Sequence, residues 1–435
     1  MVEIRPFRAL RYDPSKVNPD DVIAPPYDVV GADDVASLHA RSPYNAAHLE
    51  NPSGGEQRFA NAAASVDRWL QEGALVRDAR PALYVYEQRA KIEGHWVSRR
   101  CVFARTRLHR PEEGLVRPHE ATLTGPREER LRLQRATNMN VSPIFAAFED
   151  PSHVVRDILS AAAQGEPDFE ATDRLGDRHR VWVVADRARI DAIAGVVGAT
   201  SITILDGHHR THTALDYRDE AAAKAGKRWT GNEPENFALI GLIPEDDPGL
   251  VILPIHRVVH VDALPERFLE RLGGLYRVEV LSESGGANAV EEAWQRVKAN
   301  ALGPSTFAIL GVEGPQSIHI ATARSQEAID AAMPAGLSQA SKRLDTIVLT
   351  ETVLTPLFGI DRAALAAGER VTFTEDANEA HEAVTGGEAR LAFLVNATRI
   401  EQVMDVTAER EVMPQKTTYF YPKLATGIVF NRLDD

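Results

Sequence analysis

An aspartate, a glycine, two histidines and an arginine follow one another in Leu205-Asp206-Gly207-His208-His209-Arg210, between an apolar run and an alanine-rich stretch. Read as a strand, a turn and the start of a helix, this run is suited to holding phosphate. The first N–H groups of a helix lack intrahelical acceptors and lie at the positive end of its dipole, so they attract anions. Gly207 allows a sharp turn and a close approach of the anion to the backbone. Arg210 can grip two phosphate oxygens at once. His208 and His209 can donate hydrogen bonds, and near neutral pH they can move a proton. Asp206 can hold a magnesium ion through its water shell. Two other readings compete with this one. Asp206 can be a simple N-cap, worth about 1 kcal/mol, beside two surface histidines. Alternatively, His208 and His212, four apart on a helix, can face one zinc ion and serve a metal-dependent hydrolase. Arg210 lies between those two histidines and would repel the cation, and no glutamate occupies the general-base position of the zinc protease motif.

Four further constellations carry polar groups in loops. Ala24-Pro25-Pro26-Tyr27-Asp28 is a proline-stiffened loop that ends in an aromatic and a carboxylate, either a substrate loop or a rigid turn. Ser42-Pro43-Tyr44-Asn45, followed by His48 and Glu50, is similar. Arg117-Pro118-His119-Glu120, with Thr122 and Thr124 beyond it, sets an imidazole beside a carboxylate, and Glu120 is a candidate general base. Asn138, Asn140 and Ser142 are site residues or turn formers. Near the end, the run from Met413-Pro414-Gln415 to Lys423 places Lys416 and Lys423 among aromatics. It is either an edge strand with snorkelling lysines or a second anion clamp that the carboxyl-terminal segment brings to the site.

The elements that must position these groups are legible in outline. A helix is predicted over 59–72, two strands over 81–87 and 96–105 joined by a turn at Glu93-Gly94, and a helix over 127–137. Strands over 181–184 and 200–205 alternate with helices over 187–198 and 211–225, and strands follow over 236–244 and 250–259. This alternation predicts βαβ units in a layered α/β core. After residue 262 the character changes. Helices over 264–272, 289–299, 346–358 and 375–384 mix with strands over 276–281, 306–312, 317–322 and 390–395. The expectation is a mixed α/β protein in two parts, 1–262 and 263–435, with a final segment that can return to the site.

Composition excludes several classes. The chain has 435 residues, 44% hydrophobic and 26% charged, enough to bury the cores of two or three domains. Its net charge of −14 opposes sequence-independent DNA binding, which rests on neutralising phosphates with Lys and Arg. A phosphate site must therefore be made locally. The single cysteine, Cys101, excludes an internal disulfide and reads as a core residue in a strand. The start, Met1-Val2-Glu3-Ile4-Arg5-Pro6, lacks the pattern of a secretory signal. No run of about 18 apolar residues occurs, so a cytoplasmic protein without a membrane partner is expected. Oligomeric state is not legible.

Taken in order, several of these stretches are familiar. Ile4-Arg5-Pro6-Phe7-Arg8-Ala9-Leu10, Ala24-Pro25-Pro26-Tyr27-Asp28-Val29, Ser42-Pro43-Tyr44-Asn45, Pro118-His119-Glu120, Asp206-Gly207-His208-His209-Arg210 and the run from Met413 through Gly427 resemble the bacterial and archaeal family catalogued as domain of unknown function 1015. That resemblance spans residues 4–430 and implies kinship without an activity. The Asp-Gly-His-His-Arg box also resembles the phosphate-binding box of the ParB/sulfiredoxin superfamily, which includes free-serine kinases. This implies a ParB/sulfiredoxin-like core embedded in the larger protein. Gly207, His208, His209 and Arg210 would contact nucleotide phosphates, with Asp206 near the metal or the attacking hydroxyl. The serine kinases use a glutamate as base, for which Glu120 is the first candidate here and Glu50 the second.

The expected activity is a phosphotransferase that moves a phosphoryl group between a nucleotide (ATP or ADP, with Mg2+) and a small hydroxylated metabolite, serine or phosphoserine being favoured. His119, Glu120, Asp206 and His209 are the expected catalytic residues. Lys416 and Lys423 would add phosphate contacts, and Tyr27, Asp28, Asn45 and Arg117 would bind substrate. The alternatives are a ParB-like nucleotide-binding regulatory protein without metabolite turnover, and the metal-dependent hydrolase. The ParB partitioning proteins carry a DNA-binding helix-turn-helix, and no matching basic region occurs here.

Overall fold

The computed structural model of the chain describes residues 1–121 and 125–434. Thr122 and Thr124, read above with the His119-Glu120 loop, lie outside them. Two compact units emerge. Among the described residues the first comprises 1–118, 125–251 and 422–434, and the second 119–121 and 252–421. The junction falls within the stretch expected to be one strand over 250–259. That stretch is two short strands, Val251–Leu253 and His256–Val259, because Pro254 between them has no N–H to give to a ladder.

The first unit is built on a mixed sheet of nine strands. In chain order they are β1 (Ile4–Arg5), β2 (Leu83–Ile92), β3 (His95–Arg107), β4 (Val116–Pro118), β5 (Ile144–Phe148), β6 (Phe169–Thr172), β7 (Arg178–Val184), β8 (Ile202–Asp206) and β9 (Phe237–Pro244). Their spatial order is β4-β8-β5-β9-β3-β2-β7-β6, with β1 paired to β3. The hairpin β2–β3 turns through Glu93 and Gly94, both at positive φ (46° and 83°). That is the backbone a two-residue hairpin loop requires.

Alternation along β2 and β3 separates the two faces of the sheet. Leu83, Val85, Val102 and Ala104 enter one core with Val155, Leu159, Ile190, Ile193 and Val197. Those last five come from the helices α3 (Val154–Ala162) and α4 (Arg187–Gly198). Tyr84, Tyr86 and Phe103 face the other way. Tyr84 meets Phe7 edge-on at 5.0 Å, and Tyr86 stacks on Phe103 at 5.3 Å.

The expected βαβ connection through residues 181–205 joins strands that run the same way in one sheet but are not neighbours, because β2, β3, β9 and β5 lie between them. Strand β7 runs antiparallel between β2 and β6, so both its edges are occupied. After α4 the chain instead enters β8 between β4, which is parallel to it, and β5, which is antiparallel. Helix α5 (His208–Ala225) follows directly. It packs on α2 (Gly125–Thr137), which in turn packs on α1 (Arg58–Gln71).

The second unit has a six-stranded sheet. Its strands are β10 (His256–Val259), β11 (Tyr276–Ser282), β12 (Thr306–Leu310), β13 (Ile318–Ala323), β14 (Val371–Thr374) and β15 (Leu391–Leu394), in the order β11-β13-β12-β15-β10-β14. Val290, Ala293 and Val297 of the helix Ala287–Ala299, and Ala380 and Val384 of the helix Ala377–Thr385, cover one face. The helix expected over 346–358 is continuous from 345 to 358 but widens to a π turn at Thr350–Leu354. No described helix is long and apolar enough to cross a membrane.

Candidate functional site

Strand β8 delivers Asp206 to the sheet edge, and Gly207 turns the chain into α5. Gly207 is the N-cap residue at φ 86°, a left-handed conformation, and no side chain caps the helix. Asp206 is therefore not an N-cap. Its Oδ2 accepts a hydrogen bond from Arg210 at 2.6 Å, and its Oδ1 accepts one from Lys423 Nζ at 2.8 Å. The three side chains are only 14%, 10% and 14% exposed in the order Asp206, Arg210, Lys423. Burial acts to raise the Asp206 carboxyl, but Lys423 and Arg210 outweigh it and hold the group well below the ordinary carboxylate range. Two cations thus share one carboxylate beside the open helix start, whose N–H groups carry the positive end of the dipole.

Gly207 also lets the Arg210 guanidinium fold over the turn. A Cβ there would stand 3.0 Å from Arg210 Nε. Arg210 further donates to the Pro143 carbonyl. Burial acts to lower its pKa, yet Asp206, Asp28, Tyr27 and Glu50 together raise it. These four groups mark which residues of the first unit gather around the guanidinium.

Tyr27 and Asp28 come from the Pro25-Pro26 loop. Arg130 of α2 lies 4.1 Å above the Tyr27 ring, and burial pushes the Tyr27 hydroxyl up to about 12. Burial, and next the Asp206 charge, push the Asp28 carboxyl up, while Arg210 and Lys423 pull it down. Asp28 keeps solvent access on one side, so water tempers that push. Asn45 holds the loop rather than lining its mouth. Its amide donates to the Asp21 and Ile23 carbonyls at 2.7 and 3.1 Å, and its oxygen accepts from Ala47 N at 2.9 Å. Ala24 pairs with Thr426, and Gly427 passes so close that a Cβ would meet Ala46 Cβ at 2.9 Å. The carboxyl-terminal segment thus clasps the loop.

The same segment places Lys423. Arg99, fully buried on β3, donates to the Pro422 carbonyl and, at 2.6 Å, to Gln88 Oε1. Gln88 in turn donates to the Lys423 carbonyl at 2.9 Å. Behind Arg210, Glu50, Arg130, Asn140, Ser142 and Thr213 help line a cavity of about 40 Å³, room for a few waters. Glu50 is 2% exposed. Arg130 donates to its carbonyl at 2.8 Å and stands 3.5 Å from its carboxylate. Asn140 is held by Leu239 N and Asn431, and Ser142 by Thr426.

Other residues singled out in the sequence lie elsewhere. Arg117, on β4 in the first unit, donates to the Gly114 carbonyl at 3.2 Å. His119, Glu120 and Lys416 belong to the second unit. His119 is buried, bonds Thr418 at 2.7 Å and meets Phe420 edge-on. Glu120 is 3.9 Å from its imidazole. Lys416 is exposed at φ 60°, and its carbonyl accepts from Arg257. His208 and His212 line one small crevice with His109. Burial and then Arg127 lower the His212 pKa. Among the described residues no group of three or more His, Cys, Asp or Glu could hold a metal ion. Cys101 is buried, its thiol pushed up to about 12.

Arg130, Arg99 and Gln88 were not singled out from sequence. Arg130 is one of several arginines on an arginine-rich helix, and Arg99 and Gln88 sit in strands where burial is not legible.

Residues 4–346 match the family described as a protein of unknown function, DUF1015, and the chain belongs to that family. No curated protein matches it. Among solved structures it is similar to a conserved hypothetical protein from Pyrococcus furiosus at 16% identity and a TM-score of 0.33, over 74% of this chain and 93% of that one. It is also similar to a free serine kinase in complex with AMP, at 16% identity and a TM-score of 0.33, over 73% of this chain and 86% of the kinase.

Proposed function

We propose that this chain is a phosphotransferase that moves a phosphoryl group between a nucleotide, ATP or ADP, and the hydroxyl of a small metabolite. Serine is the favoured acceptor, on the resemblance of the Asp206–Arg210 box to that of free-serine kinases. The observation that carries the reading is the start of α5. There Asp206 holds Arg210 through one oxygen and Lys423 through the other, and the chain turns left-handed at Gly207 into the helix. Fixed cations and helix N–H groups aimed at one place need no reorganisation when a phosphate arrives.

Phosphoryl transfer asks the protein for positioning, charge neutralisation and a base. Arg210 and Lys423 hold the phosphate oxygens. Asp206 acts through them as a positioning residue. His208 and His209, on the first turn of α5, add donors. Glu50 shares its cavity with Arg210, and we take it as the base. It accepts the hydroxyl proton as the oxygen attacks phosphorus and the bond to the departing nucleotide phosphate breaks. Glu120, beside His119, is the second candidate. Tyr27, Asp28 and Arg117 of the first unit are the proposed substrate contacts.

Magnesium keeps most of its ligands as water and phosphate oxygens and needs one or two carboxylates. Asp28, exposed beside the clamp, fits that requirement, whereas both oxygens of Asp206 already hold Arg210 and Lys423. When bound, the ion would neutralise charge on the transferring group.

Phosphorus NMR of the protein with magnesium, serine and ATP or ADP tests the proposal, with the reverse mixture of phosphoserine and AMP or ADP beside it. Growth or loss of the phosphoserine resonance is the expected result. Nucleotide resonances broadened by binding with no exchange in any mixture would overturn turnover and leave a nucleotide-binding regulator.

A further inference from the structure

The second unit holds a cavity of its own, at the end of its sheet. It lies where β12 begins, β15 ends, and the helices starting at Asp345 and Ile400 open. Its volume is about 140 Å³, several times that needed for one water and enough for a small metabolite. Its lining is dominated by charged and polar groups, among them Ser305, Lys342, Asp345, Asn396 and Arg399.

Two of these groups are unusual. Lys342 is 9% exposed. Among the described residues its ammonium has one hydrogen bond, to the Asp330 carbonyl at 3.5 Å, the outer limit for such a bond. The Asp330 carboxylate feels the Lys342 charge but makes its hydrogen-bonded ion pair with Arg343, at 2.6 Å. A buried ammonium left so poorly paired is costly unless an anion completes it. Asp345 is the second. Its Oδ1 accepts from Ser305 at 2.6 Å and its Oδ2 from Asn396 at 3.1 Å. Each oxygen retains a further lone pair for a donor. Arg399, exposed, adds a second cation to the lining.

We propose that this cavity binds a free α-amino acid, its carboxylate on Lys342 and Arg399 and its ammonium on Asp345. A simple anion would satisfy the cations and leave Asp345 unused. A simple amine would leave Lys342 with only its long bond to Asp330. An α-amino acid presents both charges on a single carbon, on a body small enough for the space. Every residue named for it belongs to the second unit, and none is part of the phosphate clamp.

Isothermal titration calorimetry of the full chain without nucleotide tests this. Free amino acids are titrated in turn, with propionate and ethylamine as the two half-molecules. At least one amino acid should bind one to one, both to the wild-type chain and to Arg210→Ala, which disables the phosphate clamp. Lys342→Met, Arg399→Gln and Asp345→Asn should each weaken it by about tenfold or more, the effect of losing one charge-assisted hydrogen bond. Arg399→Gln changes an exposed residue, so the test survives if a buried variant misfolds. The proposal is overturned if no amino acid binds, if propionate binds as tightly as the best amino acid, or if binding is unchanged in Lys342→Met and Arg399→Gln.

Discussion

Lys423 Nζ stands 2.8 Å from Asp206 Oδ1, although 217 positions separate the two residues in the sequence. Arg210 holds the other oxygen of the same carboxylate from within the helix that Asp206 precedes. One clamp is thus made from a local turn and from a segment that returns after 170 residues of the second unit.

Removing Lys423 should cost both stability and nucleotide binding. Lys423→Ala leaves Asp206 buried with Arg210 alone, a loss of about 1–3 kcal/mol for one charge-assisted bond. Urea denaturation should register that cost. Nucleotide affinity, followed by calorimetry, should fall by about tenfold or more, as it should in Arg210→Ala. Unchanged affinity in both variants would remove the clamp from the site.

Acid should weaken the clamp. A carboxylate depressed in the folded state contributes its full stability above the unfolded value, near ~3.9, and loses it as pH falls below that value. Asp206 is of this kind. Asp28 is shifted upward, so its contribution is present at low pH and is lost as pH rises through its folded value. The stability gap between wild type and Asp206→Asn should be widest near neutral pH, begin to narrow below about pH 5 and go on narrowing toward about pH 1. A gap of constant size would contradict the ion-pair account.

Gly207 should tolerate no side chain. At φ 86° any L-residue is strained, by about 1–2 kcal/mol, and a Cβ would press on Arg210 Nε at 3.0 Å. Gly207→Ala should lower the urea midpoint and weaken nucleotide binding together. Loss of stability with full affinity would mean that Arg210 does not need the turn.

The two glutamates can be told apart kinetically. Glu50→Gln keeps the backbone carbonyl that Arg130 binds but removes the base, so kcat should fall by about 10²–10⁴ with nucleotide affinity retained. Glu120→Gln should leave kcat within a few-fold. The opposite ranking would move the base to the second unit.

Cys101 gives an inexpensive check on the core. Its thiol is buried and pushed up to about 12, and only the thiolate reacts with alkylating agents. The native chain should resist iodoacetamide, and the chain in urea should be labelled at once. Rapid native labelling would contradict the packing of β3.

Much of the architecture was legible where period and turn chemistry agree. The hairpin at Glu93-Gly94, the helix 187–198 and the turn at Asp206-Gly207 all stand in the fold. Strand β5, five buried residues without alternation, was not seen, because so short an apolar run carries no period. Which strands neighbour one another was also beyond reach. Residues 181–205 alternate as a βαβ unit would, yet β7 is enclosed by β2 and β6.

By itself the sequence determined the chemistry available at the start of α5. An Asp-Gly turn leading into His208, His209 and Arg210 is local, and its effect depends on backbone conformation within a few residues. It determined equally that any phosphate site had to be local in an acidic chain. Only the tertiary structure decided which distant groups complete it. Lys423, Glu50 and Asp28 each sit in polar runs that resemble ordinary loops. Their meeting around Arg210 depends on strand order and on the return of residues 422–434 to the first unit. Those are long-range contacts, set by the packing of the whole sheet rather than by any pattern along the chain.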